Sequence, residues 1–241
     1  MSWFGESAEA LARRLDLPRV LAEASVPSTM DLAHALAADG AAPGTLVLAE
    51  EQRAGRGRGG HSWQSAPRAG IWATLIERPN DPAALEVLSL RVGLRLAAVL
   101  ERWTDAGIGL KWPNDLFIGD RKLAGVLIEA RWRDQRPDWV AIGFGINLVV
   151  PSAHEATALV DASAPEVLAE VLPAMRAAAA ATGPLSASEL AAYEARDVAA
   201  GRAVTSPARG TVQGIAADGA VLIESNGVVT AHRSGSLQFL S

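Results

Sequence analysis

Apolar and polar positions along the chain change period often enough to mark its elements. A short strand runs over about residues 20 to 28 and meets Pro27. LAHALAADG then repeats apolar residues at helical spacing and ends near Gly40. Ser28 stands ahead of that helix with Asp31 three residues later, the spacing of a capping box. TLVLAEEQ (Thr45 to Gln52) and IWATLIE, which stops before Pro79, are apolar runs of strand length. Asp81 and Pro82 supply an N-cap and a first-turn proline for an amphipathic helix over about 82–104, with Gly107 as its stop. Strand patterns follow in GLKW, LFIG, KLAGVLIEARW and WVAIGFGINLVV, and Gly119-Asp120 suits a hairpin turn between the second and third. Alanine-rich helices are expected over about 164–182 and 186–199. From Gly201 the texture turns to short strands, AVTS, GTVQGIAAD, AVLIES, VVTAHR and SLQFL, with turns at Asp218-Gly219 and Asn226-Gly227. A small barrel of about 40 residues cannot bury a sufficient core alone and should lean on the main domain. The expected division is 1–198 and 199–241.

Composition narrows the function classes. The chain has 241 residues, 49% of them apolar and 20% charged, as in a folded globular protein. Its net charge is −5, so any basic site must be a local patch and indiscriminate adhesion to nucleic acid is disfavoured. There is no cysteine, which excludes disulfides and thiolate chemistry. Four histidines without metal-ligand spacing argue against a zinc centre. The N-terminus has no signal-peptide pattern and no long uncharged apolar run occurs, so a cytoplasmic protein without a membrane partner is expected.

Three stretches interrupt the strand pattern with chemistry. QRAGRGRGGHSW (Gln52 to Trp63) places Gly55, Gly57, Gly59 and Gly60 among Arg53, Arg56 and Arg58. Its G-x-G-x-x-G spacing does not make a dinucleotide site, because Pro67 and Gly70 leave no helix behind it. No Walker A lysine is present. An Arg-Gly segment can bind RNA, or form only a solvated turn; against both, this one lies between two buried strands, and glycines beside arginines let backbone N–H groups cradle an anion. KWPNDLFIGDRKLAG sets Lys111 and Lys122 on adjacent strand segments with Asn114 and Asp115 between them, either a surface salt-bridge set or a cationic site. Gly125 is either a bulge or a point of close ligand approach. GFGIN (Gly143 to Asn147) repeats the theme inside a buried strand.

In this order the three stretches, with Ser28-Thr29 before them, resemble the signature of biotin protein ligases: a Ser-Thr helix start, a GRGRxGRxW loop, a KWPND…KLAGIL block and a GxGIN strand. The resemblance covers about residues 25 to 150, and the C-terminal strands fit the family's SH3-like domain. It implies an α/β (α+β) fold related to class II aminoacyl-tRNA synthetases, with a mixed, largely antiparallel sheet, helices on one side, and a small barrel. It implies that biotin and ATP, entering with Mg²⁺, form biotinyl-5′-adenylate, and that biotin passes to a lysine of a biotin carboxyl-carrier domain. Arg58, Lys111, Asp115 and Lys122 are the implied catalytic groups, with no metal held by the protein. Ser28, Thr29, Gln52, Gly55, Arg56, Lys122, Gly125 and Gly143 are implied at biotin, and Arg56, Arg58, Trp63, Lys111, Asn114, Lys122 and Asn147 at the adenylate. Two positions depart from the pattern: His61 replaces an arginine, and Met30 stands where Asn or Ser is common. Only 27 residues precede Ser28, fewer than the helix-turn-helix of longer members needs, so no DNA partner is expected. A homodimer is compatible with the resemblance. Lipoate–protein ligases share the scheme, but KWPND and GRGRxG favour biotin.

Overall fold

The computed structural model describes residues 2–79 and 81–240. The chain opens with a hairpin, β1 (Ser2–Trp3) and β2 (Glu6–Ser7), which leads into α1 (Ala8–Arg14). The apolar pattern predicts no element before residue 20. Trp3 explains this one: it is fully buried, and its indole N–H donates to the Ala49 carbonyl at 3.3 Å.

The main body continues through β3 (Val20–Val26), α2 (Thr29–Ala38), β4 (Thr45–Gln52), β5 (Gly70–Glu77), α3 (Pro82–Glu86) and α4 (Leu88–Leu100). Then come β6 (Ile108–Lys111), β7 (Asp115–Ile118), β8 (Arg121–Arg133), β9 (Arg136–Asn147), α5 (Ala164–Ala180) and α6 (Ala187–Glu194). Seven strands form one sheet in the order β3-β4-β5-β9-β8-β7-β6. β3 and β4 are parallel, joined through α2, and every other pair is antiparallel. The β7–β8 hairpin turns at Gly119-Asp120, because Ile118 pairs directly with Arg121.

Strand alternation divides the sheet's two faces. Leu46, Leu48, Leu75 and Ile142 point into a large core shared with α4 and α5, while Val47, Ile76 and Ala141 point to the other face. There they meet Met30, Ala33 and Ala37 of α2. Helices therefore cover both faces, which corrects the one-sided arrangement expected from the sequence. Period alone cannot tell which side of a sheet an amphipathic helix occupies.

The helix expected over 82–104 is two helices. Val87 separates them with φ −104° and ψ 2°, and a 3₁₀ turn, Glu101–Trp103, follows Leu100. Val87 and Leu88 are both buried, so the apolar pattern continues across a break it does not register.

The last strands are β10 (Ala203–Ser206), β11 (Gly210–Ile215), β12 (Val221–Ser225), β13 (Val228–His232) and β14 (Gln238–Phe239). They form an antiparallel sheet in the order β13-β12-β11-β10-β14. Val204, Val212, Val221, Ile223 and Leu237 join the same apolar cluster as the main core. The Trp112 indole N–H donates to the Gly219 carbonyl at 2.9 Å, and Leu185 N–H to Ala217 at 2.8 Å. Both bonds tie the C-terminal sheet to the body. No helix among the described residues is long and apolar enough to cross a membrane.

Candidate functional site

On the face that carries α2, the helix covers only part of the sheet. Beside it the strand positions become small: Thr74 on β5, Gly143 and Gly145 on β9, and Gly125 on β8. A cleft of about 340 Å³ opens over them. That volume is in the range of a small-molecule site. The cleft explains the glycines in the strands. A Cβ on Gly145 would come within 2.6 Å of the Trp63 indole, and one on Gly143 within 2.6 Å of the Met30 methyl.

One end of the cleft is a chain of neutral polar groups. Ser28 caps α2 and accepts from Met30 N–H, so the capping box with Asp31 does not form; Asp31 instead faces Arg56. Gln52 Oε1 accepts from both the backbone N–H and the hydroxyl of Thr29, at 2.9 and 3.1 Å. Its amide nitrogen donates to Ser65 Oγ at 2.9 Å. Thr29 Oγ1 lies 2.9 Å from Thr74 Oγ1, which is fully buried. Donors and acceptors fixed in this way suit a compact neutral ring with N–H and C=O groups.

The other end is cationic. Lys122 Nζ lies 2.6 Å from Asp115 Oδ1 and 4.9 Å from the centre of the Trp63 ring. Arg58 lines the cleft nearby; burial lowers its pKa from the ordinary arginine value, and the Asp115 carboxylate opposes that shift. Asn114 donates from Nδ2 to the Val126 carbonyl at 2.7 Å, which fixes the turn that presents Asp115. Trp63 also meets Trp72 edge to face, 6.3 Å between ring centres.

The glycine–arginine segment is a self-bonded hairpin over this cleft. Trp63 N–H donates to Gly55 O at 2.8 Å, and Gly57 N–H to His61 O at 2.7 Å. Gly59 and Gly60 turn its tip with φ of 62° and 80°, the left-handed region glycine enters freely. No phosphate-binding helix follows it.

Ser28, Thr29, Gln52, Arg56, Arg58, Trp63, Asn114, Asp115, Lys122, Gly125 and Gly143 all line the cleft, together with His61 and Met30. Three other expected residues stand behind it. Gly55 closes the hairpin: a Cβ there would lie 2.5 Å from the Trp63 carbonyl. Asn147 donates to Thr157 O at 3.0 Å, and Thr157 N–H and Glu155 O bond the Lys122 backbone, so Asn147 is linked to Lys122 through that segment. Lys111 points to the C-terminal sheet, 4.8 Å from the Phe239 ring centre; burial lowers its pKa, with Asp115 opposing. The cleft also takes Gly235 and Ser236 from the connection between β13 and β14, and Thr74 from β5. Sequence reasoning misses these, since an isolated threonine or a Gly-Ser turn carries no motif.

The model of a family described as "Biotin/lipoate A/B protein ligase family" matches residues 22–147. The bifunctional ligase/repressor BirA of Bacillus subtilis is 36% identical over 146 residues, 60% of this chain and 43% of that protein. The biotin–[acetyl-CoA-carboxylase] ligase of Paracoccus denitrificans is 37% identical over 133 residues, 54% of each chain. The chain thus spans about half the length of these relatives, or less. A structure of the biotin protein ligase from Aquifex aeolicus in complex with biotin and ATP is 25% identical, with a TM-score of 0.75, covering 92% of this chain and 98% of that one.

Proposed function

The chain belongs to the biotin/lipoate A/B protein ligase family, and from that premise we propose that it is an ATP-dependent biotin–protein ligase. The observation that carries the reading is one cleft with a neutral hydrogen-bonding end and a cationic end, separated by strand glycines. In the first step an oxygen of the biotin carboxylate attacks the α-phosphorus of ATP. The bond to the bridging oxygen breaks and pyrophosphate leaves. In the second step a lysine amine of a carrier domain attacks the acyl carbon, loses a proton, and expels AMP.

Two anions must approach in the first step, so preorganised cations are the main requirement. Lys122 and Arg58 supply them where the acyl and α-phosphoryl groups meet, and Mg²⁺ enters with ATP, held largely by phosphates and water. Ser28, Thr29, Gln52 and the backbone at Arg56 take the ureido ring, and Gly143 and Gly125 leave room for biotin along the strands toward the cationic end. Trp63 and Asn114 serve the adenylate. Asp115 orients the incoming amine and accepts its proton. Lys111 supports the charge balance from beneath Phe239. The acceptor is a biotin carboxyl-carrier domain.

Incubation with biotin and Mg-ATP should give biotinyl-AMP by mass spectrometry, followed by transfer to an added carrier domain, while lipoate should give no adenylate. Lys122→Ala should cut adenylate formation by about a hundredfold or more with the fold intact by circular dichroism. Near-normal turnover would remove Lys122 from the site.

A further inference from the structure

Beside the cleft, three side chains outside the reaction just described form a hydrogen-bonded chain that ends at Arg56: Trp139 of β9, His34 of α2 and Glu129 of β8. The Trp139 indole N–H donates to His34 Nδ1 at 3.0 Å. An indole nitrogen can only donate, so Nδ1 must accept, and the neutral imidazole then carries its proton on Nε2. That nitrogen lies 3.0 Å from Glu129 Oε2, so its N–H donates to the carboxylate. Burial lowers the His34 pKa, which favours this neutral form; Arg131 and Arg56 act in the same direction and Glu129 opposes them. Glu129 is thereby held in one orientation, with its remaining acceptor capacity toward Arg56, whose Nη2 lies 3.4 Å away. The same Nη2 is 2.9 Å from Asp31, one turn before His34 on α2. Arg56 thus bridges α2 and β8. It also pairs across the glycine–arginine hairpin with Ser62.

We propose that Glu129, locked by His34 and Trp139, is a positioning residue that latches Arg56 and holds the hairpin closed over the cleft. Nothing in the chemistry of adenylation needs an imidazole and an indole at this place. A carboxylate that must meet Arg56 in one geometry does need them, because a free glutamate loses rotamer entropy on pairing and an exposed pair alone contributes little. The functional side of this latch rests on the ligase reading: a closed hairpin keeps the hydrolysable adenylate from water. Its mechanical side does not.

Trypsin separates the two, since Arg53, Arg56 and Arg58 lie in the hairpin and cleavage of a fast-closing segment follows its open population. Glu129→Gln, ligand-free, should be cut within residues 53–58 about fivefold faster than the parent, with an unchanged melting temperature and unchanged cleavage elsewhere. Trp139→Phe, which keeps an aromatic ring but removes the N–H donor, should shift the rate in the same direction by about twofold. An unchanged rate in Glu129→Gln overturns the latch, and if that variant does not fold, an unchanged rate in Trp139→Phe does so. With biotin and Mg-ATP, Glu129→Gln should release a severalfold larger share of free biotinyl-AMP per transfer. A parent protein that makes no biotinyl-AMP would sink the ligase reading and leave the proteolysis to decide the latch.

Discussion

Asp115 and Lys122 hold each other at 2.6 Å, and that pairing sets what each can do when ligand arrives. In the proposed reaction, an incoming carboxylate or phosphate competes with Asp115 for the Lys122 ammonium, and Asp115 is then available to accept a proton. The two steps can therefore be separated at one side chain. Asp115→Asn keeps the shape, removes the competing charge beside Lys122 and removes the proposed base. Adenylate formation should stay within about threefold of the parent, while transfer to the carrier lysine should fall about a hundredfold. Quench-flow with radiolabelled biotin reads both, and an equal loss in both steps would refute the division of labour.

At the scale of elements, the hairpin from Gln52 to Ser65 combines closure with charge. Its backbone bonds run from Gly55 to Trp63, and Arg58 reaches the cleft from its tip. Arg58→Gly removes the cation and loosens the tip, so biotinyl-AMP should escape into solution about tenfold faster than from the parent. Release followed by chromatography checks this, and no increase would count against a seal. The same hairpin shows how far the sequence reaches. Arginines, glycines and Trp63 stand together in the chain and mark a candidate segment, as does the lysine and Asn-Asp block, and the family resemblance is what joins the two into one expected site. Partners such as Thr74, Gly235, and the His34–Glu129–Trp139 set become neighbours only when strand register and sheet order place them side by side, and no local spacing encodes that. The break at Val87 and the side taken by α2 were hidden for a related reason. Both depend on which surface an apolar residue meets, and periodicity records only that it is apolar.

For the whole molecule, α4 and α6 are joined by one ion pair whose arginine is fully buried. Arg91 of α4 is fully buried and donates to Glu189 of α6 at 2.6 and 3.2 Å, as well as to the Pro184 carbonyl. Glu189 also closes the capping box of α6 with Ser186. The Arg91 hydrogen bonds lower the Glu189 pKa from 4.5 to about 2, with burial opposing and Ser186 assisting. The folded pKa lies below the unfolded one, so the stabilisation is fully present above about pH 4.5 and is lost as pH falls through about 2. Glu189 is part-exposed, and solvent screening leaves on the order of 1–2 kcal/mol of this at neutral pH. Glu189→Gln leaves a buried guanidinium without its counter-charge and should cost about 3 kcal/mol at pH 7. It should also flatten the fall in stability between pH 4.5 and 2, because the group that takes up a proton on unfolding within that window is gone. Urea titrations of parent and variant across that range measure both effects. Parallel curves, with the same slope against pH, would mean that acid acts on this fold through other carboxylates.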